Sequence, residues 1–411
     1  MSVRRLLAAA AVLLTLAGCS NSVTNPVPTI PLSSLLLIPA VDTLHVGDTH
    51  GFTVAAEDTG GVPVANPVLA WSSSNPGVFT VNSAGTVTAV GEGTATLRAS
   101  SGGLTAAAAL LVLPTQRGWF KQVSTVSANL NSVFFLANGN SGWAVGAGGE
   151  IVHTGNAGAA WLPQTSGVAT ALNSVWFTSA TEGWAVGDGG KIVHTTNAGA
   201  SWSVVASGRI DQLLGVEFAT RDTGWAVGEN GTILRTFNRG ATWTRSSVTA
   251  RTLRAVSFAG TRDGWAVGDN GVICGTHDRG LTWFLVQPAL TSQTLYALQR
   301  TSVQTATAVG NGGVTPRTIV TPDSTAWELR STGAANELHG VHFVDALRGW
   351  AVGRNGTGLA MVTTDGGVIW TPQDVNNAFQ LNAVQFVDNL RGWAVGDNGS
   401  ILHTVTGGET P

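Results

Sequence analysis

The stretch GWAVGDGGKIVHTTNAGASW, residues 183–202, decides how this chain is read, because it returns with small edits along most of the 411 residues. Its first tryptophan recurs at Trp143, Trp184, Trp225, Trp265, Trp350 and Trp393, at intervals of 41, 41, 40, 85 and 43 residues, the fourth a doubled period. Its last recurs at Trp161, Trp202, Trp243, Trp283, Trp327 and Trp370. Self-similarity at a period of roughly 20–50 residues marks a repeat architecture.

Within one period the pattern spells four short strands. The first has the form L-x-small-V-x-F, as in LNSVFF, LNSVWF, LLGVEF, LRAVSF, LYALQR, LHGVHF and LNAVQF. GWAVG is the second. A turn such as Asn230-Gly231, which accepts positive φ, joins it to a third, and the last tryptophan opens the fourth. Four antiparallel strands at this period describe a propeller blade, with small residues at the crowded centre and large rings filling the diverging outer wedge. Within the repeat region the AVG motif occurs seven times, yet only six blades carry their own fourth-strand tryptophan. The missing strand is read at the other end of the repeat region, in RGWFKQVS with Trp119, so that an N-terminal strand closes the ring. The expected fold is therefore all-β: a seven-bladed β-propeller over residues 115–411.

The turn before the fourth strand reads Thr-x-Asn/Asp-x-Gly-x-x-Trp, for example Thr195, Asn197, Gly199 and Trp202. It resembles the Asp-box of sialidases and sortilin-type receptors, where a side-chain oxygen ties the turn to backbone N–H groups. Together with GWAVG at this period, residues 117–411 resemble the photosystem II stability/assembly factor family. That resemblance implies a non-catalytic propeller; the photosynthetic members bind a membrane protein during assembly. A sialidase would need an arginine cluster and a tyrosine paired with a glutamate, whereas Tyr296 is the single tyrosine of the chain. Acids read at the hairpin turns, Glu150, Asp188, Glu229, Asp269 and Asp397, are ascribed to turn preference.

The N-terminus carries a different signal. MSVRRLLAAAAVLLTLAGC has two arginines, an apolar run and a small-residue cleavage site. Leu16-Ala17-Gly18-Cys19 resembles a lipobox, which implies a signal peptide over 1–18 and a lipid on Cys19. Ser20 at the following position resembles lipoproteins of the outer membrane. Residues 19–31 read as a polar, proline-bearing linker. Residues 32–114 alternate in period two between Gly, Asn and Asp turns, the pattern of a small antiparallel β-sandwich, and resemble the bacterial Ig-like group 2 domain, with Trp71 as the aromatic buried between sheets. Without residues 1–18, which hold Arg4 and Arg5, the 21 basic residues fall to 19 against 24 acidic, a net charge near −5. A basic nucleic-acid surface is not expected. Cys274 takes the register of Leu234 and Val193 and is read as a small apolar core residue.

Candidate binding residues are those where a strict repeat allows variety. The second position of the first strand is Asn131, Asn173, Leu214, Arg254, Tyr296, His339 or Asn382. These strands lie at the shortest radius, so the polar members, Asn131, Asn173, Arg254, Tyr296, His339 and Asn382, can converge on one ligand; they fit equally well as satisfied interblade polar groups. Loop residues Arg209, Asp211, Arg251, Gln293, Asn336, Glu337 and Gln380 adjoin them. His153, His194 and His403 share one register of the third strand, but neighbouring blades set them too far apart for one metal, and they are read as partly buried interblade histidines. No cofactor or metal is expected. Blade five departs, with Arg300 for Phe, Thr307 for Trp and a shortened turn at Asp323, and reads as decayed, with a specialised blade as the alternative. The expectation is a monomeric outer-membrane lipoprotein, bound to the membrane by its lipid, that holds a protein partner without catalysis. The alternative is a glycan-binding adhesin or a glycoside hydrolase, and only Trp176 is left over as a free aromatic for that role.

Overall fold

The computed structural model describes residues 31–113, 118–302, 305–321, 324–333, 335–376 and 379–409. The signal segment, Cys19, nearly all of the 19–31 linker and the turn residue Asp323 lie outside these. The chain divides into two compact units, residues 1–115 and 116–411.

In the first unit, three sheets share one core. Leu32–Ile38 pairs with Thr53–Asp58; Thr86–Ala89 lies between Thr49–Gly51 and Phe79–Val81; and a four-stranded sheet has the order Val41–His45, Leu104–Leu113, Gly93–Ser101, Ala70–Ser73. The period-two pattern behaves as written: Ala95, Leu97 and Ala99 face inward opposite Ala106, Ala108 and Leu110. Two details differ from the expectation. Val41–His45 runs parallel to Leu104–Leu113, so the unit is not purely antiparallel. Trp71 is only partly buried, packing on the core from its margin while Phe79 and Leu97 fill the centre. Its ring lies over Gly85, where a Cβ would come within 2.6 Å of it.

The second unit is a β-propeller built of four-stranded antiparallel sheets, seven among the described residues. Their first strands are Leu130–Phe135, Leu172–Phe177, Leu213–Phe218, Leu253–Ala259, Leu295–Arg300, Glu337–Phe343 and Leu381–Phe386; the sheets are numbered one to seven in that order. Each first strand packs on the next, and that of sheet seven packs on that of sheet one. In sheet seven the outer strand is Phe120–Gln122, antiparallel to Ile401–Thr404.

The aromatic residues pin neighbouring sheets together. The GWAVG tryptophan stacks on the phenylalanine that ends the next sheet's first strand: Trp143 on Phe177 at 3.6 Å, Trp184 on Phe218 at 3.9 Å, Trp225 on Phe258 at 3.4 Å, Trp350 on Phe386 at 3.5 Å and Trp393 on Phe135 at 3.7 Å. That phenylalanine meets its own sheet's fourth-strand tryptophan edge-on, as Phe177 meets Trp202 at 5.9 Å. Ring quadrupoles favour the edge-on contact, while the close stacks gain chiefly from the apolar area they bury. Trp119 occupies this edge-on place for sheet seven, 5.6 Å from Phe386. Its indole donates to Gln373 Oε1 at 2.9 Å, just as Trp161 donates to Gln122 and Trp202 to Gln164.

The glycines of GWAVG follow from the same packing. A Cβ on the first, Gly224, would lie 2.6 Å from the Phe218 ring, and one on the last, Gly228, 1.8 Å from the Gln212 carbonyl oxygen. Sheet five changes these positions together: Arg300 stands for Phe and Ala306 for Gly, since there is no ring there to strike, and Thr307 stands for Trp. Trp265 and Trp327 then meet directly, edge-on at 5.3 Å. Sheet five is thus a coordinated variant rather than the decayed unit its sequence implied. The Asp-box turns close as expected: Thr195 Oγ1 accepts the Gly199 N–H at 2.9 Å, and Asn197 Oδ1 accepts that of Ser201 at 2.9 Å. Sheet seven makes the first of these bonds too, Gly408 N–H to Thr404 Oγ1 at 2.7 Å.

Candidate functional site at the central cavity

The seven first strands line one cavity of about 500 Å³, a volume typical of ligand pockets. Every first strand is bulged at its second position: Leu130 pairs with Gly146 and Ser132 with Val145, leaving Asn131 unopposed, and the same break leaves out Asn173, Leu214, Arg254, Tyr296, His339 and Asn382. A bulge re-aims its extra side chain. All six polar candidates line the cavity together with Leu214.

They divide into two arcs. In sheets seven, one and two the asparagines clamp the next sheet: Asn382 Nδ2 donates to the Leu130 carbonyl at 2.9 Å, Asn131 Nδ2 to that of Leu172 at 2.9 Å, and Asn173 Nδ2 to that of Leu213 at 3.0 Å. Turn carboxylates complete them, Asp188 accepting from Asn173 at 2.9 Å and Asp397 from Asn382 at 3.0 Å. In sheets four to six the groups stack instead. The Arg254 guanidinium sits 5.1 Å over the Tyr296 ring while its Nε bonds Asp269, and Tyr296 stacks on His339 at 4.3 Å. His339 Nε2 is 3.7 Å from Glu337 and has no hydrogen-bond partner among the described residues. Burial lowers its pKa, so the imidazole is neutral near pH 7, and the bond from Arg354 holds the Glu337 carboxyl below the usual carboxylate range. Of the turn acids, Asp188, Asp269 and Asp397 have this bonding role. Glu229 accepts the Gln212 N–H at 3.3 Å, and Glu150 is corrected, lying past the turn at the head of the strand Glu150–Thr154.

A further set of side chains lining the cavity was not singled out from the sequence. At each junction one of them accepts a backbone N–H from the next first strand. The pairs are Ser132 with Val175, Ser174 with Val216, Glu217 with Phe258, Ser257 with Arg300, Gln299 with Phe343, His342 with Phe386 and Gln385 with Phe135. Burial pushes the Glu217 carboxyl up to about 7, against the bonds from Phe258 and Ser257 and the nearby Arg300 charge. Burial brings His342 down to about 4. Where a third-position serine is the latch, the fifth position holds Phe134 and Trp176, whose rings lie 5.2 Å apart and form an apolar wall.

Among the described residues Glu217 is the one carboxylate lining this cavity, whereas two-carboxylate hydrolysis needs a facing pair. His153, His194 and His403 stack on Trp143, Trp184 and Trp393 of their own sheets at 4.8, 4.7 and 4.5 Å. Burial lowers their pKa values, that of His403 to about 4. They therefore pack within sheets rather than across the interblade junctions expected of them. Cys274 is buried in the core, its thiol pushed up to about 12 by desolvation.

The model of one family, described as "Photosynthesis system II assembly factor YCF48", matches residues 113–211, 208–312 and 319–411. The chain belongs to this family. None of the curated proteins matches it. Among solved structures, "YCF48 bound to D1 peptide" is 23% identical with a TM-score of 0.60, covering 71% of this chain and 98% of that one. YCF48 from Cyanidioschyzon merolae is 20% identical with a TM-score of 0.59, covering 70% and 98%. A U3-55K structure, 6% identical, shares the fold with a TM-score of 0.57, covering 70% and 98%.

For this YCF48-family chain, the second-position signal picks out side chains that line the central cavity. Loops named with it divide: Arg209 pairs with Asp211 and Gln380 bonds Asn382 at 2.7 Å, whereas Asn336 is buried. The latch set carried a signal as well, since Glu217, Gln299, His342 and Gln385 are polar in strands whose ends are otherwise apolar.

Proposed function

We propose that this is a non-catalytic, lipid-anchored envelope protein whose seven sheets are the blades of a closed propeller, the segment around Trp119 supplying the last edge. In this reading Cys19 carries the lipid, the chain is a monomer of the outer membrane, and residues 32–114 are an Ig-like spacer. The propeller holds a segment of a protein partner at the mouth of the central cavity. One observation carries the reading: side chains from all seven first strands converge there, bonded to one another as a shaped surface and not poised as acid, base or nucleophile. The YCF48 propeller bound to a D1 peptide supports a peptide as the kind of ligand; the partner here is a different question, since the lipobox and the Ig-like segment point to an envelope client.

The test is site-specific photo-crosslinking of the intact lipoprotein in its own envelopes. A crosslinking residue at Leu214, which lines the cavity, is expected to give a discrete protein adduct, and one at Leu162, exposed on an outer strand, none. Absence of an adduct at Leu214, or equal adducts at both, would overturn the reading. The Phe134 and Trp176 wall favours a second one, a sugar stacked in the cavity. Glycan-array binding abolished by Trp176→Ala, with no adduct at Leu214, would establish it instead.

A further inference from the structure

The two arcs of the mouth are unequal in one respect that bears on what enters it. In sheets two, four and seven the turn residue, Asp188, Asp269 or Asp397, bonds the second-position side chain of its own sheet. Asn311 takes that register in sheet five, where the second-position residue is Tyr296. A phenol ring brings no amide to it, and Asn311 Oδ1 is buried without a partner among the described residues. His339 Nε2, on the ring stacked against Tyr296, is also buried without a hydrogen bond among the described residues, the Glu337 carboxylate lying 3.7 Å away. An acceptor without a partner and a ring nitrogen only loosely engaged thus mark the arc where asparagine is absent, while the asparagine arc is satisfied.

Charge narrows what could complete them. Arg254, Arg354 and Arg209 are paired with Asp269, Glu337 and Asp211. Arg251 donates to the Asn270 carbonyl at 3.0 Å. Across the mouth, on the turns of sheets two, three and seven, stand Asp188, Glu229 and Asp397, none of them in an ion pair among the described residues. A carboxylate crossing the mouth would pass these acids, and a buried acceptor and imidazole call for one donor and one acceptor from the same group. A carboxamide supplies both in one plane. It is also the group the ring itself uses at this register, three times, in Asn131, Asn173 and Asn382. Across the cavity lie Leu214, Trp176 and Phe134.

We propose that the Arg254–Tyr296–His339 arc is a seat for an uncharged carboxamide of a partner peptide, from an Asn or Gln side chain or the backbone, with an apolar neighbour lying on the Phe134–Trp176 wall. This rests on the peptide-binding reading above and adds to it the arc and the chemistry of the ligand. The seat is the place that the chain's own asparagines fill elsewhere in the ring.

The test uses the intact protein, immobilised, and a phage-displayed random heptapeptide library. Enriched sequences are resynthesised with acetyl and amide ends, and their affinity is measured by fluorescence polarisation. The decisive variant is Tyr296→Asn, which places in the seat the residue that three other sheets carry there, so it folds and blocks. Enrichment of Asn or Gln beside an apolar residue, with affinity at least tenfold weaker for Tyr296→Asn and for His339→Ala and unchanged for Val204→Ala on an outer strand, supports the proposal. Enriched peptides that are acidic, or that bind Tyr296→Asn as tightly as the parent, overturn it. Peptides that still block crosslinking from Leu214 while ignoring Tyr296→Asn would refute the seat and leave the mouth as a binding site. A library yielding no peptide that blocks that crosslinking refutes both.

Discussion

Replacing Trp119 by alanine tests the joint on which the ring depends. Trp119 is 6% exposed, packs edge-on to Phe386 and donates its indole N–H to Gln373. A buried tryptophan removes about 150–250 Å² from water, roughly 4–6 kcal/mol at 25 cal/mol/Å² as an upper bound. Substitutions of this kind cost about 3–5 kcal/mol, the cavity included. With a urea slope of about 3 kcal/mol/M, the unfolding midpoint of Trp119→Ala falls by about 1 to 1.7 M. Trp202→Ala, the same register inside a continuous hairpin of sheet two, is the comparison. Trp202 makes the matching contacts, edge-on to Phe177 at 5.9 Å and to Gln164 at 3.2 Å. The two variants are expected to lose similar stability, but only Trp119→Ala should raise amide exchange in Ile401–Thr404, the strand that Phe120–Gln122 covers. A shift below about 0.3 M, which is less than about 1 kcal/mol on the same slope, with Ile401–Thr404 still protected, would refute the claim that this segment holds the last sheet.

Three further outcomes follow from the latches and turns. Burial raises Glu217 to about 7 in the folded protein, so the folded state holds that proton more tightly than the unfolded chain. Its contribution is full below about pH 4.5 and is lost as pH rises to about 7. Glu217→Gln, matching Gln299 and Gln385 in register, should abolish that slope and exceed the parent at pH 8 by at most on the order of 3 kcal/mol; denaturation at pH 5, 6.5 and 8 that gives identical slopes counts against it. His342 has the opposite sign: with its pKa lowered to about 4, its contribution is present above about pH 6.5 and disappears as pH falls toward 4, and His342→Gln should keep the latch while flattening that acid limb in the same titration. Thr195→Val leaves the buried Gly199 N–H without its acceptor and should cost about 1–3 kcal/mol, with faster exchange confined to residues 196–201; unchanged exchange there would show the Asp-box bond to be dispensable.

Much of this architecture was legible before any coordinates, because a repeat states its own packing rules many times over. The GWAVG tryptophans, the Asp-box turns and the role of Trp119 each follow from a register that most of the near-copies hold in common, and a ring that must stack on the next Phe cannot move without breaking its junction. Trp71 shows the limit, since a single aromatic without repeats to average over was placed at the centre of a core that Phe79 and Leu97 fill. At the candidate site the sequence alone determined which seven positions vary at the inner strand. Only the tertiary structure decided what they do: the bulge that turns them toward the cavity, the asparagines consumed as clamps across sheets, and the Glu217, Gln299, His342 and Gln385 latches. Those depend on which backbone group of the neighbouring sheet comes within about 3 Å, a relation between residues some 40 apart in the chain that no local periodicity encodes. The coordinated change of Arg300, Ala306 and Thr307 reads as decay until the space vacated by one ring is seen to admit the methyl of another residue.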